Sequence, residues 1–105
     1  MRRIIYAGGS FVTSDEIADA VLRFAEELAN HNRAATLTVP AVEPDGPTDV
    51  EVLVGPASQL MAESIEGEGV PPDGTAFLAE IEERIRQQRT GWMRRDDLSS
   101  IDWDL

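Results

Sequence analysis

The spacing of the apolar residues changes twice along this chain, and that change constrains the fold more than any single motif. Ile17, Ala20, Val21, Phe24, Ala25 and Leu28 recur every three or four residues, which gives one apolar helix face with Asp19, Arg23, Glu26 and Glu27 lying off it. Phe77, Leu78, Ile81 and Ile85 repeat that spacing later in the chain. Between the two stretches the period falls to two: Leu37, Val39 and Ala41 share one face of a strand, and Val50, Val52 and Val54 share one face of another. One-sided helices and alternating strands must bury their apolar sides against each other. The expectation is an α+β fold, with a mostly antiparallel sheet of about four strands, both helices packed on one face, and the order β-(β)-α-β-β-β-α.

Local signals set the boundaries. Arg3–Ala7 reads as a short buried strand, Gly8-Gly9 as a tight hairpin turn, and Ser10–Val12 as a brief return strand. In Thr13-Ser14-Asp15-Glu16, Thr13 is placed as N-cap and Glu16 stands three residues on, as in a capping box. Val12 and Ile17 are placed for the hydrophobic staple. The first helix is expected to end at Asn30-His31-Asn32, where asparagine suits a left-handed exit. Pro40 has no N–H for a ladder, so strand 34–42 is expected at an edge or distorted there. Glu43-Pro44-Asp45-Gly46-Pro47 is a turn signal leading into strand 49–54. Residues 55–65 fit two readings: a helix opening at Pro56, or a turn at 55–58 followed by a strand with Leu60, Ala62 and Ser64 inward. With the strand, residues 34–64 form a three-strand meander. Glu66 to Gly74 is a loop, and the second helix runs from Thr75 to about Arg89 with Arg86 and Arg89 in its last turn.

Composition narrows the class. With 105 residues the chain has room for one core, assigned to residues 1–90, followed by a tail at 91–105. Net charge is −11, from 20 acids and nine bases, and every base is arginine. Such a chain repels a phosphate backbone and an anionic membrane surface, so neither nucleic acid nor membrane is an expected partner. Without lysine or cysteine it has no Schiff-base, phosphate-lysine or thiol chemistry. No apolar run has the length of a membrane span or the core of a secretory signal, and the expected location is cytoplasmic.

Ile4-Ile5-Tyr6-Ala7-Gly8 opening into a capped helix, then Val52-Leu53-Val54-Gly55-Pro56-Ala57-Ser58-Gln59-Leu60, then a second helix, resembles in layout a group of small actinobacterial proteins of unknown function. The resemblance spans about residues 2–86 and rests on Pro56–Leu60, which in that group follows one strand and leads into another. It implies that residues 57–65 hold a strand. The group is more basic after its first helix and more aromatic in its last strand than Asn30–Arg33 and Ala62–Ser64 are here. The resemblance implies no site and no cofactor.

Candidate functional residues are few. Gly8-Gly9-Ser10 ahead of a helix suggests an anion site, against a plain turn and cap. His31, the one histidine, lacks sequence neighbours that make a nucleophile–base set and reads as a helix terminus. The carboxylate pairs Asp45/Asp49, Glu66/Glu68, Asp96/Asp97 and Asp102/Asp104 match no calcium-loop spacing, and no metal or catalytic residue is assigned. Tyr6, Phe11, Phe24, Met61 and Phe77 either build the core or line a small-ligand pocket between sheet and helices. Both tryptophans fall at the C-terminal end, so Trp92, Arg94, Arg95, Ile101, Trp103 and Leu105 are the candidate interaction residues. They are placed to pack on their own domain, on a second copy as a homodimer, or on a protein partner. The functional expectation is a non-catalytic protein-interaction or self-association module, with a small-ligand-binding regulatory domain as the alternative.

Overall fold

The computed structural model describes residues 1–66 and 69–102, and the side chains of those up to Arg89. The elements are β1 (Arg2–Tyr6), β2 (Gly9–Thr13), α1 (Asp15–Asn30), β3 (Ala35–Glu43), β4 (Gly46–Val54), β5 (Met61–Ser64) and α2 (Thr75–Asp102). They form an α+β fold in the expected order, with five strands arranged β4-β3-β2-β1-β5. The periodic residues do what their spacing requires. Leu37, Val39, Ala41, Val52 and Val54 are buried on the inner sheet face, against Ile17, Val21, Phe24 and Leu28 of α1 and Phe77, Ile81 and Ile85 of α2.

Both ends of α1 are chemically specified. The N-cap is Ser14, whose Oγ accepts from the Ile17 N–H at 3.2 Å, and not Thr13. Thr13 is committed elsewhere: it is the last residue of β2, fully buried, and its Oγ1 donates to the Pro40 carbonyl at 2.7 Å. The expected Thr13/Glu16 box and Val12/Ile17 staple therefore do not form: the residue three on from Ser14 is Ile17, which has no carboxylate to reach back, and the positions flanking the cap become Thr13 and Ala18. At the other end Asn32 takes a φ of 53°. The Arg33 N–H donates to the Leu28 carbonyl at 2.9 Å and the Asn32 N–H to the Ala29 carbonyl at 3.1 Å, a Schellman closure with asparagine in the left-handed position.

The first hairpin turns at Ala7-Gly8, since Tyr6 pairs with Gly9, one residue earlier than the glycine pair suggested. The second turns through Pro44-Asp45, with Glu43 paired to Gly46, and β3 and β4 then pair along nine residues to Ala35↔Val54. Gly46 has a φ of 133°, a conformation L residues rarely adopt, which explains glycine there.

Three expectations change. The meander does not form: β5 pairs not with β4 but with β1 at the far edge, in the register Ile5↔Met61 to Arg2↔Ser64. Residues 55–60 cross the end of the sheet to reach it. On β1, Glu63 stands opposite Arg3, and its Oε1 accepts from Arg3 Nη1 at 2.7 Å. The strand reading of 57–65 holds, over Met61–Ser64, with Leu60 and Ala62 packed on the core and Ser64 exposed.

Pro40 is not on an edge strand, because β3 lies inside the sheet. Its carbonyl faces β2, so its missing N–H lies on that side as well, where only Val12↔Val42 pairs and no bond to β4 is lost. Further along the same side, the Thr36 carbonyl accepts from Arg84 Nη1 of α2 at 3.2 Å, and that guanidinium also stacks 4.9 Å from the centre of the Phe24 ring.

Finally, α2 passes its expected end and runs to Asp102. Gly91 is a weak stop, at about 1 kcal/mol against alanine, and Met93, Arg94 and Arg95 favour the helix. The side chains of Trp92, Arg94, Arg95 and Ile101, and Trp103 and Leu105 altogether, lie outside the described residues.

Candidate functional site on the uncovered face of the sheet

Both helices occupy one face of the sheet, and the pleat sends the alternate residues of each strand to the other. Along β4 these are Pro47, Asp49, Glu51 and Leu53, all exposed, Leu53 at 71%. Met61 of β5 is likewise exposed at 60%.

Two grooves border this side. One, of about 910 Å³, is lined by Ile5, Tyr6, Leu53, Pro56, Leu60 and Met61, and contains the segment that crosses the sheet end. A turn shapes that segment, with the Ser58 N–H donating to the Gly55 carbonyl and the Gly55 N–H to Ser58 Oγ, each at 3.0 Å. The other, of about 1040 Å³, lies between Pro40, Val42, Pro47 and Asp49 of the β3–β4 hairpin and Val70-Pro71-Pro72 of the following loop. Asp49 and Leu53 thus belong to different grooves, and the stretch of β4 between them joins the two.

β4 is also an edge strand. The Pro40 and Thr36 carbonyls face away from β4, so residues 35, 37, 39, 41 and 43 direct their main chain toward it. Their partners are 54, 52, 50, 48 and 46. The main-chain groups of Pro47, Asp49, Glu51 and Leu53 therefore point outward along the free edge. Pro47 offers only a carbonyl there. Asp49, Glu51 and Leu53 each present an N–H and a C=O.

Charge divides along the same line. From Ala34 to Glu83 the chain has no basic residue and eleven acidic ones, which accounts for its whole net charge of −11; the remaining nine acids match the nine arginines. The described arginines are engaged at the helices and on β1. Arg2 meets Asp15 and Asp19, Arg3 meets Glu63, Arg23 meets Glu82, Arg86 meets Glu83, and Arg33 donates to Gln88. Glu27, largely buried on α1, accepts from Arg89 Nε at 2.9 Å and Nη2 at 3.2 Å. The hydrogen bond from Arg89 holds the Glu27 carboxyl below the usual carboxylate range, against the opposing effect of burial. On the β3–β4 hairpin, Glu43, Asp45, Asp49 and Glu51 have no ion-pair partner among the described residues.

The other candidates fall into place around this face. Phe11, Phe24 and Phe77 are buried in the core, the first of the two readings of these residues, and Tyr6 and Met61 line the groove at the sheet end. Gly8-Gly9-Ser10 is separated from the α1 terminus by the rest of β2 and does not build an anion site there. His31 is the C-cap of α1, its Nδ1 2.9 Å from the Glu27 carbonyl oxygen. Among the described residues no three His, Asp or Glu side chains gather as a metal site, and no helix is long and apolar enough to cross a membrane. The reading from sequence missed Asp49, Glu51 and Leu53 as a set. The signal was present in the long base-free stretch around them.

Comparison with protein-family models, with curated proteins and with solved structures found no match.

Proposed function

We propose that this chain is a non-catalytic protein-interaction module acting in the cytoplasm, and that the C-terminal segment of the sequence contributes a self-association contact through Trp92, Arg94, Arg95, Ile101, Trp103 and Leu105. The observation that carries the reading is the sheet face without a helix layer. It is bordered by two grooves and keeps Leu53 and Met61 in solvent, although the chain has ample apolar surface committed to its other side. Sedimentation equilibrium of the full chain and of Trp92→Ala/Trp103→Ala tests it. A mass above the 11.5 kDa of one chain, falling back in the double variant, is the expected result.

A second reading, a small-ligand-binding regulatory domain, draws on the 910 Å³ groove, which has the size and apolar lining of a ligand site. A native chain that stays at 11.5 kDa at every concentration and melts higher with a small metabolite moves the assignment there.

A further inference from the structure

We propose that the free edge of β4 docks an extended, basic segment of a partner protein as an added strand. This rests on the interaction-module reading and narrows it to a partner class and a place. Three observations converge. The main-chain groups of Asp49, Glu51 and Leu53 point outward along an edge strand, so an incoming strand finds a ready ladder. The side chains of Asp49 and Glu51 stand exposed beside that ladder without an ion-pair partner among the described residues, where alternate residues of an added strand pair across it. The exposed Leu53 and the half-buried Val50 supply apolar contact on the two faces.

Charge selects the occupant. A second copy laid along β4 sets Asp49 and Glu51 beside their own counterparts, and like charges placed opposite each other are unfavourable. Nucleic acid is repelled by the same carboxylates. A strand alternating arginine or lysine with apolar residues satisfies the main chain, the carboxylates and Val50 together. The surface that resists self-pairing is the one that accepts a basic strand, and the associated field from residues 34–83 steers such a partner toward it.

The probe is an eight-residue capped peptide alternating arginine and valine, with a glutamate-for-arginine version as its counterpart, titrated into the full-length isotope-labelled chain. The expected result is amide shifts confined to residues 46–54 and added hydrogen-exchange protection at Asp49, Glu51 and Leu53. Asp49→Arg/Glu51→Arg is expected to weaken binding of the arginine peptide roughly tenfold. Glu16→Arg/Glu26→Arg on α1 changes net charge equally and should leave affinity within about twofold, since pairing at the edge is local and screened beyond about 10 Å. Asp49→Asn/Glu51→Gln, the milder pair, should fall between. Shifts mapping to the helices, equal weakening by the α1 variant, or no binding of the arginine peptide would overturn the proposal. Equal binding of the glutamate peptide along the same edge overturns the basic partner while leaving the interaction reading in place.

Discussion

The helix side of the sheet and the outer side of the β3–β4 hairpin are built from opposite materials. On the helix side, Phe24, Ile17, Leu28, Leu37 and Ile81 are fully buried, and two ion pairs at the periphery, Arg23 on Glu82 and Arg89 on Glu27, tie α1 to α2. On the hairpin the charges are all of one sign and unpaired among the described residues, and a nine-residue ladder holds the two strands to each other. The first region is where stability is made. The second carries charge without an internal counter-charge to gain stability from it, and it is the region on which the proposed interaction rests.

Substitutions can break or sharpen that contrast. Phe24→Ala removes the largest fully buried side chain among the described residues, and chemical denaturation should show a loss of about 3–5 kcal/mol. Gly74→Ala comes next. A Cβ there meets Ile17 Cγ1 at 2.6 Å, and because Ile17 is fully buried it cannot swing aside, so the expected loss is about 1–3 kcal/mol with a lower melting temperature.

Glu27→Gln should cost about 1 kcal/mol at pH 7, since Arg89 is largely exposed and its charge well hydrated. The sign of its pH dependence follows from the lowered Glu27 pKa. The contribution is complete above the unfolded carboxylate value of about 4.5 and disappears as pH falls through the lower folded value, so native and variant stability curves should converge in acid. The smallest effect belongs to Asp49→Asn/Glu51→Gln, within about 0.5 kcal/mol of native and, at low salt, toward greater stability as repulsion is relieved. A loss as large as that of Glu27→Gln would mean that the hairpin acids are structural and would erase the contrast.

Much of this architecture was legible in local pattern. The i, i+3, i+4 spacing of Ile17 to Leu28 and of Phe77 to Ile85 marks what is buried, and the alternation at Leu37, Val39 and Ala41 marks which side of β3 faces the core. The misreadings arise where a choice depends on distant chain. Thr13 and Ser14 are both competent caps, and the choice falls to Ser14 because Pro40, far along the sequence, claims the Thr13 hydroxyl. Nothing in residues 61–64 says which edge they join; the pairing of Glu63 with Arg3 becomes visible only once β1 and β4 are known to be the two options. Phe11, Phe24 and Phe77 followed the core reading, because large apolar side chains on the inward face are what a core consumes first. The exposed set at Asp49, Glu51 and Leu53 depends on β4 being an edge, which periodicity does not reveal.

The pairing of β5 with β1 has a kinetic consequence. β3 and β4 meet through a two-residue reversal and form a local hairpin, whereas β5 must find a strand at the beginning of the chain, a closure whose entropic cost is met only after most of the molecule has collapsed. A four-residue strand added last is the first to leave. We therefore expect amides of Met61–Ser64 to exchange with solvent faster than those of Leu37–Ala41 under native conditions, as a subglobal opening that peels one margin of the sheet while the hairpin and helices stay intact.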